Sequence, residues 1–321
     1  MKSVIQVAEA DGEVGLGHLR ELHAIGAVFE QRGITTQTYV LGKPLPDAKW
    51  GDIHWIANSE MLTSLLWKMD AAASVWNFRR SLDANLERLF DRLGRIRVWI
   101  TDQPGEPLPA EIVVIPAVVV QSHFQRRGRL LVGFDYLPLD TPYAEPPLPV
   151  AERSHEVLLS LGGADRTRAT LRLLGAIAEF NSTVVIGPGF AHADTVKGTA
   201  NELGIRFVHS PDGLQQLLRM HRIVVTAGGN TLAEAAASGT PAVVTWEDSH
   251  ERNQGELFER MGAAVVVGKG DTVDPDLLHW KLKRLLACME QLTEMASAGR
   301  RIADGRGADR IVDAVLEEIG K

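Results

Sequence analysis

Short stretches centred on apolar residues recur along the second half of the chain, at residues 156–161, 182–187, 206–209, 222–226, 242–246 and 263–267. Between them the apolar positions repeat every three or four residues. An apolar run of this length predicts a strand buried on both faces, and the intervening period predicts amphipathic helices. Helices are expected over 165–180, up to about residue 203, over 213–221, from 230 onward, and over 274–298. The first half has the same rhythm in looser form. Strands are expected at 4–7, 36–40, 53–56, 73–76, 98–100 and 112–115, with a helix over 17–32. Strands alternating with helices predict an α/β fold with a parallel, doubly wound sheet in each half.

A cluster of prolines separates the halves: Pro138, Pro142, Pro146, Pro147 and Pro149. Proline lacks a backbone donor and restricts its predecessor, so the stretch is expected to be an extended linker. The expected organisation is an N-terminal Rossmann-like domain over 1–140, a linker over 141–153 and a C-terminal Rossmann-like domain over 154–321. Two such domains are expected to face each other across a cleft. Ligands in open α/β sheets bind beyond the carboxyl ends of the strands, so chemistry is sought in the strand-to-helix loops.

Composition narrows the class. The chain has 321 residues, 45% hydrophobic and 23% charged, the profile of a globular protein of two domains. It has no run of about 18 apolar residues, so no spanning helix is expected. Glu9 and Asp11 come too early for a signal peptide. A net charge of -7 argues against a nucleic-acid partner. The single cysteine, Cys288, excludes a disulfide framework within the chain and a cysteine zinc site. It falls in the helix expected over 274–298 and is expected to be packed. The ten histidines lack metal-ligand spacing. Together these features predict a cytoplasmic protein that needs no metal and no cofactor.

Two loops of the first half carry candidate chemistry. Gly12-Glu-Val-Gly15-Leu-Gly17-His18 follows the first strand and opens the first helix. Glycines at Gly15 and Gly17 let a ligand approach the backbone, and a neutral imidazole at His18 can accept a proton. The alternative is an ordinary polar helix start. Thr101-Asp102-Gln-Pro104-Gly105 ends a strand. Asp102 is either a ligand-binding carboxylate or a turn aspartate. The basic run Arg126-Arg127-Gly128-Arg129 is expected to be a solvated hairpin turn.

The second half offers two strand–glycine–helix junctions. Ser160-Leu-Gly162-Gly163-Ala-Asp165 follows its first strand, and Ala227-Gly228-Gly229-Asn230-Thr231-Leu-Ala-Glu234 follows its fourth. Two glycine nests suit a diphosphate held by backbone N–H groups. Asn230 is alternatively a helix cap. Thr231 can donate to phosphate. Glu234, one turn beyond Asn230, can accept from ribose hydroxyls or be a capping-box or solvated glutamate. The polar loop over 246–254 precedes another helix, which Asn253 and Gln254 are expected to begin, within reach of a sugar or phosphate.

With these loops in place, the chain resembles the UDP-sugar hydrolase family of pseudaminic acid biosynthesis and the related spore-coat polysaccharide proteins. Gly15-Leu-Gly17-His18, the 159–165 segment, the 228–242 segment, Asn253-Gln254 and Gly305-Arg-Gly-Ala-Asp-Arg-Ile-Val312 carry the likeness. The resemblance implies a GT-B fold, akin to the glucosaminyltransferase that makes lipid II. It also implies metal-independent release of UDP from an acetamido-deoxy sugar, with inversion at the anomeric carbon. His18 matches the family's water-activating histidine, and Asn253 its catalytic amide. Gly228, Gly229, Thr231 and Glu234 match its nucleotide grip. Glu21 stands where the family carries an arginine, and Pro104 where it carries a tyrosine. The expected function is a UDP-sugar hydrolase; the alternatives are a glycosyltransferase using the same site and a non-catalytic nucleotide-sugar binder. A membrane-dependent transferase should expose an apolar patch edged with basic residues on the N-terminal half. Phe78-Arg79-Arg80 and Phe124-Gln125-Arg126-Arg127 are the segments with that composition.

Overall fold

The computed structural model describes residues 3–10, 17–43, 53–78, 80–101, 109–117 and 128–321. The chain divides into two compact units: Met1–Thr141 together with Gly305–Lys321, and Pro142–Asp304.

In the first unit the elements run β1 (Ser3–Ala10), α1 (Gly17–Gln31), β2 (Thr35–Gly42), β3 (Ile53–Ile56), α2 (Ser59–Leu66), β4 (Ala73–Asn77), α3 (Ala84–Arg92), β5 (Ile96–Ile100), β6 (Ile112–Ile115) and β7 (Arg129–Val132). They form a parallel sheet in the order β3-β2-β1-β4-β5-β6-β7. The second unit contains β8 (His155–Ser160), α4 (Ala169–Ile177), β9 (Ser182–Ile186), α5 (Ala193–Glu202), β10 (Arg206–His209), α6 (Gln215–Met220), β11 (His221–Thr226), α7 (Asn230–Ala237), β12 (Ala242–Trp246), α8 (Ser249–Arg260), β13 (Ala264–Lys269), α9 (Pro275–Leu286) and α10 (Met289–Ile302). Its sheet is also parallel, in the order β10-β9-β8-β11-β12-β13. Both are therefore Rossmann-like. In each sheet the winding reverses once, between β1 and β4 and between β8 and β11. The loops diverge there, which is where such sheets bind ligands.

The last helix, α11 (Gly307–Ile319), corrects the expected end of the second domain at residue 321. Its stripe of Ile311, Val312 and Val315 packs in one core with Val4, Val75, Val98 and Val114 of the first sheet and Leu22, Ile25 and Phe29 of α1. Each such burial is worth about 1.5–3 kcal/mol, enough to decide which unit keeps the helix. The other face of that sheet buries Trp76, Trp99 and Val113 against Leu62 and Leu66 of α2 and Leu86, Leu89 and Phe90 of α3.

The proline-rich stretch is not an extended spacer. It holds 3-10 turns at Thr141–Ala144 and Val150–Glu152 and ends at Arg153, which is 2% exposed. The Arg153 guanidinium donates to the carbonyls of Leu148, Leu218, His221, Ser238 and Gly239 and to the Thr240 hydroxyl. Burial, with Arg219 adding, pulls its pKa down to about 10, so it stays charged near neutrality. Residues 142–153 are thereby tied into the second unit.

Further expectations are corrected. The helix expected from residue 165 starts at Ala169, and that expected over 274–298 is two helices. Cys288 lies at the break between α9 and α10 and is exposed rather than packed. β6 and β7 run parallel, and Arg129 begins β7, so the basic segment does not join a hairpin; Arg126 and Arg127 lie outside the described residues. α2 and α3 have clear caps, with Asn58 and Asp83 side chains accepting from first-turn amides. Among the described residues no helix is long and apolar enough to cross a membrane.

Candidate functional site

In the first unit, α1 opens beside the reversal point. His18 is its second residue and half-buried. Asn77 ends β4, beside Ala8 of β1, and is 1% exposed. His18 Nδ1 lies 2.6 Å from Asn77 Oδ1. Asn77 Nδ2 donates to Glu21 Oε2 at 2.7 Å and sits 3.5 Å from the His18 carbonyl. His18 thus has a built partner on the neighbouring strand, which an ordinary helix-start histidine would not need. Gly17 begins α1; Gly15 and Asp102 lie outside the described residues. Asn77 and the role of Glu21 were missed from the sequence. The available signal was a polar residue closing the apolar strand Ala73-Ser-Val-Trp-Asn77.

The two glycine junctions of the second unit differ from each other. Gly162 has a left-handed φ of 99° and, with Gly163, is exposed. However, the amides that open α4 are already taken. Asp165 Oδ1 accepts from Ala169 N at 2.8 Å, and Oδ2 from Thr170 N at 3.1 Å. His192 Nε2 also lies 3.1 Å from Asp165 Oδ2. This junction offers turn backbone, not a bare helix start.

At the Gly228-Gly229 junction the residue before α7 is Gly229, which has no side chain to cap the helix. Asn230 is the helix's first residue. A Cβ on Gly228 would collide with the backbone carbonyl of Glu251 on α8, so only glycine lets the two elements close here. The start of a helix carries the positive end of the helix dipole and attracts anions. Thr231 is half-buried at the start of α7, and Glu234, one turn on, is 7% exposed. A carboxylate buried to that degree is not the solvated glutamate of the alternative reading.

Helix α8 starts at Ser249, capped by Asp248, so Asn253 and Gln254 lie within it instead of beginning it. Gln254 Nε2 donates to the Gly229 carbonyl at 3.3 Å, whereas Asn253 is exposed. Glu251 places Oε1 3.8 Å from where a Gly229 Cβ would stand, and Oε2 accepts from Glu247 N at 2.7 Å. Burial first, then the charges of Asp248 and Glu247, push the Glu251 carboxyl above the ordinary carboxylate value, against the Glu247 amide and Arg166. Glu247 in turn accepts from Thr167 and Arg166 of the 160s loop. Among the described residues no group of three or more histidines, cysteines or carboxylates is arranged to hold a metal ion.

No family model matches the chain. It is 24% identical over 206 residues to the spore coat polysaccharide biosynthesis protein SpsG of Bacillus subtilis (strain 168), covering 61% of this chain and 60% of that protein. It is 28% identical over 180 residues to the UDP-N-acetylglucosamine--N-acetylmuramyl-(pentapeptide) pyrophosphoryl-undecaprenol N-acetylglucosamine transferase of Pseudomonas entomophila (strain L48). That match covers 53% of this chain and 50% of the transferase. The chain thus spans between half and two thirds of these two relatives. Among solved structures, Acinetobacter baumannii MurG superposes over 99% of this chain and 100% of its own, with a TM-score of 0.68 at 16% identity. The fold is therefore that of the GT-B glycosyltransferases, two Rossmann-like domains in one chain, and the spore-coat part of the sequence resemblance stands.

Proposed function

We propose that the protein is a nucleotide-sugar-dependent glycosyltransferase acting on a UDP-sugar. The observation that carries this is the glycine start of α7, where Gly228 and Gly229 bring backbone with no capping side chain to the positive end of the helix dipole, a place suited to a diphosphate. Thr231 and Gln254 flank that diphosphate, and Glu234 accepts from the ribose. Gly162 and Gly163 supply a second stretch of turn backbone to the nucleotide. His18 takes the proton of the attacking hydroxyl. The acceptor oxygen bonds to the anomeric carbon as its bond to the diphosphate breaks, so the configuration inverts. The leaving UDP is stabilised by fixed amide dipoles in place of a metal. Asn253 is assigned a catalytic part, and Gly15, Gly17 and Asp102 are assigned to the sugar.

An exposed ridge supports transfer to a lipid-linked acceptor. Met61 and Leu65 lie one turn apart on α2 and are 55% and 50% exposed, followed by Trp67 at 42%. The Arg92 guanidinium lies 5.6 Å over the Trp67 ring, and Lys68 is exposed beside it. Apolar side chains edged by cations suit the surface of an anionic membrane. Phe78, expected in such a patch, is 2% exposed and belongs to the core; Arg79 and residues 124–127 lie outside the described residues.

The second reading is the hydrolase of the pseudaminic-acid type, with water in place of the acceptor. The His18–Asn77 contact favours it to the extent that a positioned base serves water equally well. Incubation with a panel of UDP-, GDP- and CMP-sugars separates the two. UDP release without acceptor supports hydrolysis. Release only when an acceptor alcohol or lipid is supplied supports transfer. No UDP binding at all would refute both.

A further inference from the structure

The side chains of Glu21 and Asn77 form a chain of hydrogen bonds that ends on His18. Each link in it has a direction. A carboxylate only accepts, so the Glu21 carboxylate at 2.7 Å requires the NH2 side of the Asn77 amide to face it. The same orientation brings Nδ2 to the His18 carbonyl, a second acceptor, at 3.5 Å. The Asn77 amide oxygen is thereby committed to the other side, 2.6 Å from His18 Nδ1. An amide oxygen also only accepts. The neutral His18 ring must therefore carry its proton on Nδ1 and its lone pair on Nε2.

We infer that Glu21 and Asn77 are positioning residues that lock His18 in the Nδ1–H tautomer, presenting Nε2 as the proton acceptor. The inference rests on the proposed function for its consequence, but the tautomer itself does not depend on turnover. Burial of Asn77 at 1% exposure makes the lock strong, because an amide rotated the wrong way would set its oxygen against a carboxylate with no water to relieve it. It also gives Glu21 a purpose that its place on the first turns of α1 does not reveal. The negative charge acts two bonds away, through an uncharged amide.

The test is long-range ¹H–¹⁵N NMR of the full chain labelled on histidine nitrogen, recorded well above the ordinary imidazole range. The native protein should give His18 a protonated Nδ1 and a pyridine-like Nε2. Asn77→Leu removes the acceptor and should mix the two tautomers. It should also cut kcat by at least about tenfold, part of what a positioned base contributes, with little change in KM. The double variant Glu21→Gln with Asn77→Asp reverses donor and acceptor along the chain but keeps an acceptor facing Nδ1. It should restore the native tautomer, which also controls for loss of folding in the single variant. A native His18 protonated on Nε2, or an Asn77→Leu protein with the native pattern, would overturn the inference. A native pattern in a protein that never turns over a UDP-sugar would leave the lock standing and refute the proposed function instead.

Discussion

The two units share a strand order and a reversal point but put different chemistry there. In the first, side chains meet: His18 from the start of α1, Asn77 from the end of β4 and Glu21 between them. In the second, the side chains are cleared away. Gly228 and Gly229 open α7, and the nearby carboxylates are turned to capping α8 and its preceding loop. Under the proposed function, one scaffold supplies a site for proton transfer in one copy and a site for anion binding in the other. The fold provides the location, and the loop residues decide the use.

On that division, ionisable groups of the first reversal point should act on turnover, and buried ones in the second unit on stability. The largest effect should come from His18→Ala, which should cut turnover by about 10²–10⁴-fold while UDP affinity stays nearly intact. Calorimetry of UDP binding beside single-turnover kinetics checks both halves. A variant with full turnover would break the comparison at its first term.

Arg153→Leu should lower the stability of the second unit by about 3–5 kcal/mol, because five carbonyls lose a buried cation. Urea unfolding measures this. A variant as stable as the native chain would show that the proline-rich segment is only loosely attached.

Acid should weaken the same unit through His221. Burial, its first cause, holds the imidazole down at about 4, from an ordinary 6.5. Between those values the unfolded chain binds a proton that the folded chain refuses. Stability is therefore complete above the upper value and falls by about 3 kcal/mol as pH drops through the window. His221→Gln should flatten that part of the profile. An unchanged slope would move the acid sensitivity elsewhere.

The smallest effect concerns Glu251, whose carboxylate lies close to the start of α7. Its raised pKa means that it takes up a proton more readily than an exposed glutamate, and a protonated Glu251 tolerates a diphosphate better than an ionised one. UDP affinity should fall as pH rises through that pKa. Glu251→Gln should bind UDP a few-fold more tightly at neutral pH and lose part of the pH dependence. An identical pH profile would remove Glu251 from the anion site and sharpen the contrast to backbone alone.

Much of this was legible along the chain because burial on both faces leaves short apolar runs. β3, β6 and β12 begin and end where the pattern predicts, at Ile53–Ile56, Ile112–Ile115 and Ala242–Trp246. Glycines that permit close backbone approach were visible too, and Gly228 proves to be such a position. These are local properties: a run of residues, or a missing side chain, states its own requirement. What stayed hidden depends on partners distant in sequence. Nothing near residue 310 says that Ile311 and Val312 fill a core begun at Val4. Nothing near Arg153 announces carbonyls at 218, 221, 238 and 239. Cys288 was expected to pack because the helix around it was expected to be continuous, and the break between α9 and α10 exposes it. His18 could be picked out from its glycine-rich turn, but its orientation could not. A hydrogen bond to Asn77, 59 residues away, exists only once β4 lies beside β1, because parallel neighbours in a sheet need not be neighbours in the chain.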